Sequence, residues 1–366
     1  MTVYLMAGGG TAGHVNPLLA TADRLRERDP DAHVLVMGTA EGLEARLVPL
    51  RGYELVTVPR LPFPRKPDAD ALRFPGRWKD SVELTRSIIR DRGVDVVVGF
   101  GGYAAAPAYA AAHREGIPLV IHEANARPGI ANRYGARFTQ FVGTVFPSTR
   151  IRGGRVVGLP LRREIEELDR FAARPEALRT FGLDEGRPTL LVTGGSLGAR
   201  KLNEGVSQAI DAVLATGWQV LHITGDRSPV EDPHLAGYRL LTYCDRMDLA
   251  LAAADLAVSR AGSATVSELA ALGIPAVFVP YAVGNGEQAL NARDAVAAGG
   301  ALLVPDAEFD AEWVRGPFLR LIEDPALVAD MAARMVSTGR RDGADRLVDM
   351  VFEASSRPAA SSADER

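Results

Sequence analysis

Two strand–glycine loop–helix patterns occur in the first half of the chain and recur, in the same order, in the second half. An apolar run followed by a glycine loop and a helical stretch is found at residues 5–13 and again at 191–199. A second apolar run with a glycine turn and a later Gly-Ile-Pro is found at 95–118 and again at 255–275. One anion-binding loop at a helix start is a weak signal. Two sets predict two α/β domains that each hold a phosphate-bearing ligand, as in a transferase.

Size and composition agree with two globular domains. The 366 residues are enough for two hydrophobic cores, and the hydrophobic and charged contents of 47% and 24% are those of a well-packed protein. A net charge of -4 leaves no cationic excess for general nucleic-acid binding. The single Cys244 excludes an internal disulfide and favours a reducing compartment. We expect neither a secretory signal nor a membrane-spanning segment, and therefore a soluble or peripheral protein.

Short apolar runs alternate with helical patterns along both halves, which predicts doubly wound parallel sheets with their functional loops at the carboxyl ends of the strands. The predicted strands are Val3–Met6, Val34–Met37, Val94–Val98, Leu119–His122, Phe141–Thr144, Leu190–Thr193, Gln219–Thr224, Leu240–Cys244, Leu256–Ser259, Ala276–Val279 and Ala301–Val304. The predicted helices include Pro17–Arg28, Ser81–Asp91 and a helical stretch over Asp324–Glu353.

Glycine and proline at Val157–Pro160 indicate a change of domain. We therefore expect one domain over residues 1–158 and a second over 159–352. The last residues, 353–366, are small and polar, which predicts a disordered tail.

A proline-interrupted loop over Arg60–Lys79 alternates cations with bulky apolar groups. Such a surface can bind an anionic lipid interface, with each cation contributing about 1 kcal/mol. The alternative is a solvated loop whose aromatic side chains fold inward. The residues of this candidate membrane patch are Arg65, Lys66, Leu72, Phe74, Arg77, Trp78 and Lys79.

The first glycine loop, residues 8–13, allows the backbone to approach a diphosphate at the start of a helix. It formally matches the dinucleotide-binding spacing. However, the second strand ends Val36-Met37-Gly38-Thr39, without the acidic residue that would bind a ribose. A nicotinamide cofactor is therefore disfavoured.

His14 and Glu123 are the candidate general bases. His14 lies in the first helical turn beside the glycine loop, where it can take a proton from a hydroxyl or hydrogen-bond a phosphate. A purely structural role as a capping or packing residue is the alternative. Glu123 ends a strand in His122-Glu123-Ala124-Asn125. It can act as a base or, equally, brace its own loop.

The second half offers groups for a nucleotide sugar. Two further helix starts, at 194–200 and 260–268, supply amides for a diphosphate, and Glu268 can accept hydrogen bonds from both hydroxyls of a ribose. Arg162 and Arg260 can offer charge to a leaving diphosphate, and Gln288 and Asn291 suit sugar hydroxyls. No metal-ligand cluster, nucleophile elbow or Walker lysine is found in the sequence.

Taken in order, these motifs resemble those of the MurG family, the bacterial N-acetylglucosaminyltransferases that convert lipid I to lipid II. The motifs that carry the resemblance are Gly8-Gly9-Gly10-Thr11-Ala12-Gly13-His14-Val15-Asn16-Pro17, His122-Glu123-Ala124-Asn125, Gly194-Gly195-Ser196-Leu197-Gly198-Ala199-Arg200, Arg260-Ala261-Gly262-Ser263-Ala264-Thr265-Val266-Ser267-Glu268 and Gln288-Ala289-Leu290-Asn291-Ala292. The resemblance implies an α/β GT-B fold, with two Rossmann-like domains separated by a cleft. It also implies an inverting reaction that needs no cofactor and no metal.

The resemblance also implies roles for individual residues. His14 or Glu123 would be catalytic, and the acceptor diphosphate would meet Gly101, Gly102 and Tyr103. The implied donor-binding residues are Thr11, Ala12, Gly13, Asn125, Arg162, Ser196, Cys244, Ser263, Ala264, Thr265, Glu268, Gln288 and Asn291. The implied partners are UDP-N-acetylglucosamine (UDP-GlcNAc), undecaprenyl-linked lipid I, an anionic membrane surface and proteins of cell-wall synthesis. The implied location is the cytoplasmic face of the bacterial membrane, as a peripheral protein.

Three positions depart from the family pattern. Ala12 replaces a glycine, and its methyl group fits only if its φ is negative. Ala124 and Leu197 each replace a glutamine, so the sugar contacts of those amides cannot be transferred to this chain.

Three alternatives stay open. Two are enzymes of the same fold, a transferase to a soluble acceptor and a UDP-GlcNAc 2-epimerase, and the cationic, aromatic segment argues against both. The third is a nucleotide-sugar-binding regulator, which would need no general base.

Overall fold

The structure, a computed structural model, describes residues 1–64, 66, 68–195, 198–226, 230–281 and 286–356. The strands are β1 (Val3–Gly8), β2 (His33–Gly38), β3 (Glu54–Thr57), β4 (Val96–Gly101), β5 (Leu119–Glu123), β6 (Phe141–Thr144), β7 (Gly154–Val156), β8 (Thr189–Thr193), β9 (Gln219–Ile223), β10 (Tyr238–Leu241), β11 (Leu256–Ser259), β12 (Ala276–Phe278) and β13 (Ala301–Leu303). The helices are α1 (Ala12–Arg28), α2 (Glu44–Leu50), α3 (Ala69–Asp91), α4 (Ala105–Glu115), α5 (Ile130–Gly135), α6 (Arg163–Glu166), α7 (Arg170–Phe181), α8 (Arg200–Ser207), α9 (Ile210–Ala215), α10 (Met247–Ala253), α11 (Ser263–Ala271), α12 (Glu287–Asn291), α13 (Arg293–Ala297), α14 (Ala311–Trp313), α15 (Leu319–Ile322), α16 (Pro325–Val336) and α17 (Gly343–Ser355), with a π-helical turn at Val314–Phe318.

The chain forms two compact units. Unit 1 contains Met1–Arg162 and the chain from Arg341 onward, and unit 2 contains Arg163–Arg340. The domain expected over 159–352 differs from unit 2 because the last helix packs on unit 1. Leu347, Val348 and Val351 of α17 are buried in a core that also contains residues of α1.

Unit 1 is built on a seven-stranded parallel sheet with strand order β3-β2-β1-β4-β5-β6-β7. Along β1, Tyr4 and Met6 face one core, whereas Leu5 and Ala7 face another. Successive side chains of a strand point to opposite faces, so both faces of this sheet are covered. The predicted doubly wound arrangement is confirmed for this half.

Unit 2 repeats the plan with a six-stranded parallel sheet in the order β10-β9-β8-β11-β12-β13. The second-half strands β8 and β11 occupy the places of β1 and β4 in unit 1. The repeat in the sequence therefore corresponds to a repeat in sheet topology.

Two strands were not predicted, and one was misplaced. β3 and β7 are short edge strands, and most of their residues are at least partly exposed, so they lack the apolar run that marks buried strands. The strand expected at Leu240–Cys244 is instead β10, Tyr238–Leu241, so Cys244 lies in the loop that follows it. β10 is also an edge strand, and its side chains are only partly buried beyond Tyr238.

The loop predicted over Arg60–Lys79 is wrong for its second half, where α3 begins at Ala69 and continues through Pro75 to Asp91. Asp68 explains the start of the helix, because its side chain accepts a hydrogen bond of 3.1 Å from the backbone N–H of Ala71. Aspartate in this capping position is a recognisable helix-start signal, but the nearby prolines obscured it. Similarly, α1 begins at Ala12 rather than at Pro17.

The helical stretch expected over Asp324–Glu353 is two helices, α16 and α17, separated by residues 337–342. The tail expected to be disordered over 353–366 begins inside α17, which ends at Ser355; residues 357–366 lie outside the described part of the chain. Within the described ranges, no helix combines the length and the apolar character needed to cross a membrane.

Candidate functional site

The strand order of unit 1 reverses between β1 and β4, so the loops after these strands open at one edge of the sheet. We call them loop A, residues 8–13, and loop B, residues 101–103. The two loops are in contact, since a Cβ atom at Gly102 would lie 2.6 Å from the carbonyl oxygen of Gly9. Gly102 also has a φ of +86°, which excludes most side chains. Both loops expected to meet phosphate therefore form one surface.

His14 lies between loops A and B. Its Nδ1 is 3.1 Å from the carbonyl oxygen of Gly9 and 3.3 Å from Oγ1 of Thr11. A carbonyl oxygen only accepts, so the contact with Gly9 places a proton on Nδ1 and leaves Nε2 of the neutral ring as an acceptor. That Nε2 faces loop B, 3.3 Å from the position that a Cβ would take at Gly101. The half-buried ring thus directs its Nε2 at loop B, which is the orientation that a base acting at this loop would need.

The start of α1 presents free amide groups beside His14. The N–H groups of Ala12 and Gly13 donate to no acceptor among the residues that the structure describes, and the side chain of Thr11 does not cap them. They carry the positive end of the helix dipole. Ala12 is not among the described residues with positive φ, so its methyl group causes no backbone strain.

Glu123 is buried, and hydrogen-bond donors of its own loop surround its carboxylate. The backbone N–H groups of Asn125 and Gly129 each donate at 2.9 Å, and Nδ2 of Asn132 donates at 2.9 Å. Burial raises the pKa of Glu123, although these donors oppose the effect. Asn132 in turn accepts a 2.7 Å hydrogen bond from the hydroxyl of Tyr109. Of the two roles left open by the sequence, this geometry favours bracing of the loop.

His122, the neighbour of Glu123, is also internal. It is buried, and its Nε2 lies 3.1 Å from the carbonyl oxygen of Gly158. Burial lowers the pKa of His122 to about 4. The ring is therefore neutral at pH 7, and its Nε2–H donates to the carbonyl oxygen of Gly158, near the end of the first segment of unit 1.

Tyr103 of loop B connects the loop to the cationic, aromatic segment. The guanidinium of Arg60 lies 4.7 Å from the centre of the Tyr103 ring, and Nη2 of Arg77 donates at 3.0 Å to the carbonyl oxygen of Arg60. The backbone before α3 and the side chains of α3 therefore adjoin the proposed acceptor loop.

The cationic, aromatic surface, as we define it, consists of Phe63, Lys66, Leu72, Phe74, Arg77, Trp78 and Lys79. Phe63 packs edge-on against Phe74, which stacks on Trp78, which contacts Tyr134 of α5. Phe63 and Leu72 nevertheless expose 58% and 85% of their surfaces, and the three cations are exposed. Arg65 lies outside the described residues. The aromatic side chains at 74 and 78 thus fold inward, as in the alternative of a solvated loop, whereas Phe63, Leu72 and the cations remain exposed.

In unit 2 the strand order reverses between β8 and β11. The loop after β8, residues 194–199, is tight, since a Cβ at Gly194 would lie 2.5 Å from the backbone nitrogen of Ala199. Ser196 and Leu197 lie outside the described residues. The N–H of Gly195 donates to Oγ1 of Thr193 at 3.3 Å, so a neutral hydroxyl supports this loop.

The loop after β11 leads directly into α11. Gly262 is the N-cap residue, with a φ of -63°. The N–H groups of Ser263, Ala264 and Thr265 have no acceptor among the described residues. A Cβ at Gly262 would meet nothing closer than 3.9 Å, so the described chain does not require glycine there. N–H groups without an internal acceptor at a helix start are typical of an anion site. Glu268 is half-buried on the same helix.

Gln288 and Asn291 lie on α12 and contact the loops around α11. Oε1 of Gln288 accepts a 2.9 Å hydrogen bond from the N–H of Tyr281, and Nδ2 of Asn291 donates at 3.2 Å to the carbonyl oxygen of Ala261. Asn291 is buried. The structure therefore brings both amides close to the proposed donor loops, and part of each amide is used internally.

The remaining residues expected at a donor site come from several separate segments of the chain. Cys244 follows the edge strand β10 and is buried, which raises the pKa of its thiol. Arg162 ends the first segment of unit 1, and Asn125 lies in the Glu123 loop. Arg260 does not offer a free charge, since its Nη1 lies 2.5 Å from Asp306 and 2.9 Å from the carbonyl oxygen of Val279. Among the described residues, no cluster of His, Cys, Asp and Glu could hold a metal ion.

Sequence reasoning missed Glu44, which is buried beneath loop A and accepts a 2.7 Å hydrogen bond from the N–H of Gly10. The sequence offers only a weak signal, since two acidic residues, Glu41 and Glu44, occur in the glycine-containing segment just after the second strand.

Comparison with known proteins assigns the family. The glycosyltransferase family 28 N-terminal domain matches residues 4–144, and the family 28 C-terminal domain matches 189–347. The chain belongs to glycosyltransferase family 28. Its two Rossmann-like units are those of the GT-B fold.

Relatives of this family 28 chain cover nearly its whole length. A protein of Leifsonia xyli is 63% identical over 96% of this chain and 98% of its own, and is named UDP-N-acetylglucosamine--N-acetylmuramyl-(pentapeptide) pyrophosphoryl-undecaprenol N-acetylglucosamine transferase. The crystal structure of Acinetobacter baumannii MurG matches with a TM-score of 0.80 and 27% identity, over 96% of this chain and 100% of that one. A Neisseria meningitidis UDP-GlcNAc 2-epimerase matches with a TM-score of 0.69 and 15% identity, over 96% and 100%, which shows a shared fold alone.

Proposed function

We propose that this chain transfers N-acetylglucosamine from UDP-GlcNAc to the C4 hydroxyl of the N-acetylmuramic acid of lipid I, which gives lipid II for peptidoglycan synthesis. The relative that is 63% identical over nearly the full length and is named for this transfer supports the substrate pair. The observation in this chain that carries the proposal is the start of α11, where three successive N–H groups have no acceptor among the described residues.

Unit 2 holds the donor. The N–H groups of Ser263, Ala264 and Thr265, with Ser196 of the preceding loop, bind the diphosphate, and Glu268 binds the ribose. The backbone at Cys244 contacts uracil, and Gln288 and Asn291 bind the sugar. A helix start suits this task because its amides and dipole act on negative charge without rearrangement.

Unit 1 supplies the acceptor groups and the base. Loop B, with Gly101, Gly102 and Tyr103, receives the acceptor diphosphate. Nε2 of His14 takes the proton from the C4 hydroxyl as its oxygen attacks the anomeric carbon of the donor and the bond to UDP breaks. The amides of α11 and the charge of Arg162 stabilise the departing diphosphate. Thr11, Ala12, Gly13 and Asn125 contact the donor from unit 1.

The base is His14 rather than Glu123. The Glu123 carboxylate already accepts three hydrogen bonds from Asn125, Gly129 and Asn132. Protonation of this carboxylate would weaken those bonds, whereas the ring of His14 directs Nε2 toward loop B. Neither residue implies a metal, and we propose a reaction that needs none.

The protein works as a peripheral protein at the cytoplasmic face of the membrane, where an undecaprenyl-linked substrate is anchored, beside other proteins of cell-wall synthesis. The cationic, aromatic surface supports this proposal, because exposed Phe63 and Leu72 occur among exposed cations. Apolar insertion together with attraction to anionic lipid gives reversible binding.

The test is transfer of labelled N-acetylglucosamine from UDP-GlcNAc to a short-chain lipid I analogue, with and without EDTA. We expect a product heavier than the acceptor by one N-acetylglucosamine residue, at the same rate in both arms. Conversion of the donor to its 2-epimer without any transfer would identify an epimerase instead. Transfer only to acceptors that lack the lipid would favour the soluble-acceptor transferase, and EDTA-sensitive transfer would contradict metal independence.

A further inference from the structure

The side chain of Glu44, at the first position of α2, is 0% exposed. Its two oxygens hold donors from two different segments. Oε2 accepts a 2.7 Å hydrogen bond from the N–H of Gly10 in loop A. Oε1 accepts from Thr39, at 2.8 Å from the backbone N–H and 2.9 Å from the hydroxyl. One carboxylate therefore joins loop A to the chain after β2.

Three glycines make room for this carboxylate. A Cβ at Gly9 or at Gly42 would lie 2.2 Å from an oxygen of Glu44, and a Cβ at Gly38 would lie 2.4 Å from its Cγ. Gly38 and Gly42 are not among the residues with positive φ, so backbone conformation does not require glycine there. Glycine is required at these two positions because the side chain of Glu44 occupies the space that a Cβ atom would fill. A buried carboxylate accommodated by three separate glycines is a specific arrangement and not an incidental contact.

The carboxylate is ionised in spite of its burial. Burial alone would raise the pKa of Glu44, but hydrogen bonds from Gly10 and Thr39 outweigh that effect and hold the pKa below its ordinary value. Hydrogen bonds from backbone N–H groups to an ionised acceptor are stronger than those between neutral groups. Glu44 therefore fixes the orientation of the peptide at Gly10.

Fixing that peptide also fixes His14. The peptide bond between Gly9 and Gly10 carries the carbonyl oxygen of Gly9 on one side and the N–H of Gly10 on the other. The N–H points to Glu44, and the carbonyl oxygen accepts from Nδ1 of His14 at 3.1 Å. A rigid, planar unit thus connects the buried carboxylate to the imidazole.

We propose that Glu44 is a positioning residue for the transfer reaction: it holds the Gly9–Gly10 peptide so that His14 keeps its Nδ1–H tautomer and presents a basic Nε2 to loop B. The inference rests on the proposed function, in which His14 is the base. Glu44 itself touches neither substrate, and it acts only through the peptide.

In the corresponding loop of unit 2, no charged side chain supports the backbone among the residues that the structure describes. There, the N–H of Gly195 donates to the neutral hydroxyl of Thr193. A fixed negative charge under loop A disfavours a second anion at Gly10, whereas the loop of unit 2 carries no such charge at Gly195. This difference fits a division in which unit 2 binds the donor diphosphate and loop A orients a base.

The experiment compares wild type with Glu44→Gln, and uses Glu41→Gln as the matched control because Glu41 is exposed in the same segment. The glutamine keeps the size of the side chain but sets an NH₂ group against one of the backbone donors. We expect kcat for lipid I transfer to fall about tenfold or more, since a small displacement of a catalytic group costs up to about 10²-fold. KM for UDP-GlcNAc should stay within about twofold, because unit 2 binds the donor.

A second readout does not depend on activity. Nitrogen NMR of the His14 ring should show the Nδ1–H tautomer in wild type and in Glu41→Gln, and a shift toward Nε2–H in Glu44→Gln. A folded Glu44→Gln variant with wild-type kcat, or with an unchanged His14 tautomer, would overturn the proposal. A fall in kcat that is matched by a rise in donor KM would also overturn it, since it would indicate general loss of structure.

If Glu44→Gln does not fold, Thr39→Val decides the question. This change removes one hydrogen bond to Oε1 and leaves the bond between Gly10 and Glu44. A fall in kcat that is smaller than the tenfold or greater fall expected for Glu44→Gln, again without a change in donor KM, supports the proposal. An unchanged kcat contradicts it. Wild-type protein that makes no lipid II would refute the proposed function, and the tautomer comparison alone would then test the role of Glu44.

Discussion

At the scale of single residues, the two units use glycine for different purposes. Gly102 is glycine because of its φ of +86° and its close contact with Gly9. Gly262 has an ordinary φ of -63° and open space at its Cβ position. The fold explains the first glycine, and under the proposed function a bound diphosphate would explain the second. A similar contrast separates Glu123, whose carboxylate accepts hydrogen bonds from its own loop, from His14, whose Nε2 is directed at loop B.

His14→Ala should lower kcat by about 10²–10⁴-fold, the usual contribution of a general base. Affinity for UDP-GlcNAc should not change, because the proposed donor site lies in unit 2. Steady-state kinetics and calorimetric titration of the donor measure the two effects. His113→Ala, an exposed histidine that stacks on Phe138, is the control and should keep wild-type turnover. Near-normal turnover in His14→Ala would refute the assignment of the base.

Gly262→Ala should raise KM for UDP-GlcNAc while the protein stays folded. The added methyl group has no described neighbour closer than 3.9 Å, but it occupies the space in front of the free amides of α11. Gly186→Ala in the same unit is the matched control, since its Cβ position is also open. An unchanged donor KM with normal thermal stability would mean that the diphosphate does not bind at this helix start.

At the scale of secondary-structure elements, α3 carries the cationic, aromatic surface at one end and an ion-pair cluster at the other. Nε of Arg86 and Nη2 of Arg90 donate to Glu115, the last residue of α4, at 2.6 and 2.8 Å. These hydrogen bonds lower the pKa of Glu115 to about 2. The cluster therefore holds the C-terminal half of α3 on α4, while Leu72 at the other end stays exposed.

Glu115→Gln should destabilise unit 1 in a pH-dependent way. The folded-state pKa of Glu115 is depressed, so its contribution is fully present above the ordinary value of 4.5 and is lost as pH falls toward about 2. Urea unfolding of wild type and variant should therefore differ at pH 7, and the difference should shrink at lower pH and at high salt. Glu185→Gln, exposed in unit 2, is the control. A difference independent of pH would contradict the ion-pair explanation.

Buried elements could be predicted from the sequence more fully than exposed elements. Buried strands such as β1 and β8 have uninterrupted apolar runs, and their glycine loops followed from the same pattern. The edge strands β3 and β7 have little apolar signal, because they bury few side chains. The first half of α3 was predicted as a loop because Pro75 lies inside it, although Asp68 caps the helix. Glu44 was missed because its partners in loop A are 34 positions away, and single-sequence patterns do not show such pairings.

At the scale of the whole molecule, the chain repeats one sheet topology in two units. Both have a strand-order reversal flanked by two glycine loops, so topology alone makes two equivalent sites. The side chains break that equivalence, since unit 1 carries His14 and Glu44 and unit 2 carries the open start of α11. The epimerase with the same fold at 15% identity shows that the sheets do not decide the reaction.

Binding to membranes should depend on the exposed side chains of α3. Leu72→Ser and Arg77→Ser should each weaken binding to anionic vesicles, and the loss of one cation corresponds to about 1 kcal/mol near the surface. Sedimentation with vesicles of phosphatidylglycerol and neutral lipid measures this effect at several salt concentrations. Phe171→Ser removes an apolar side chain that is 77% exposed in unit 2, and should leave binding unchanged. Equal losses in all three variants would refute a membrane site on α3.

The stereochemistry of the product provides the sharpest test of the proposed single displacement. A single displacement on the α-linked donor, with the acceptor hydroxyl activated by His14, predicts a β-linked N-acetylglucosamine at C4 of the N-acetylmuramic acid. Proton coupling at the new anomeric centre and carbon shifts of the muramyl ring determine both features in one NMR experiment. An α-linked product would contradict the single displacement, and attachment at another hydroxyl would contradict the lipid I acceptor assignment.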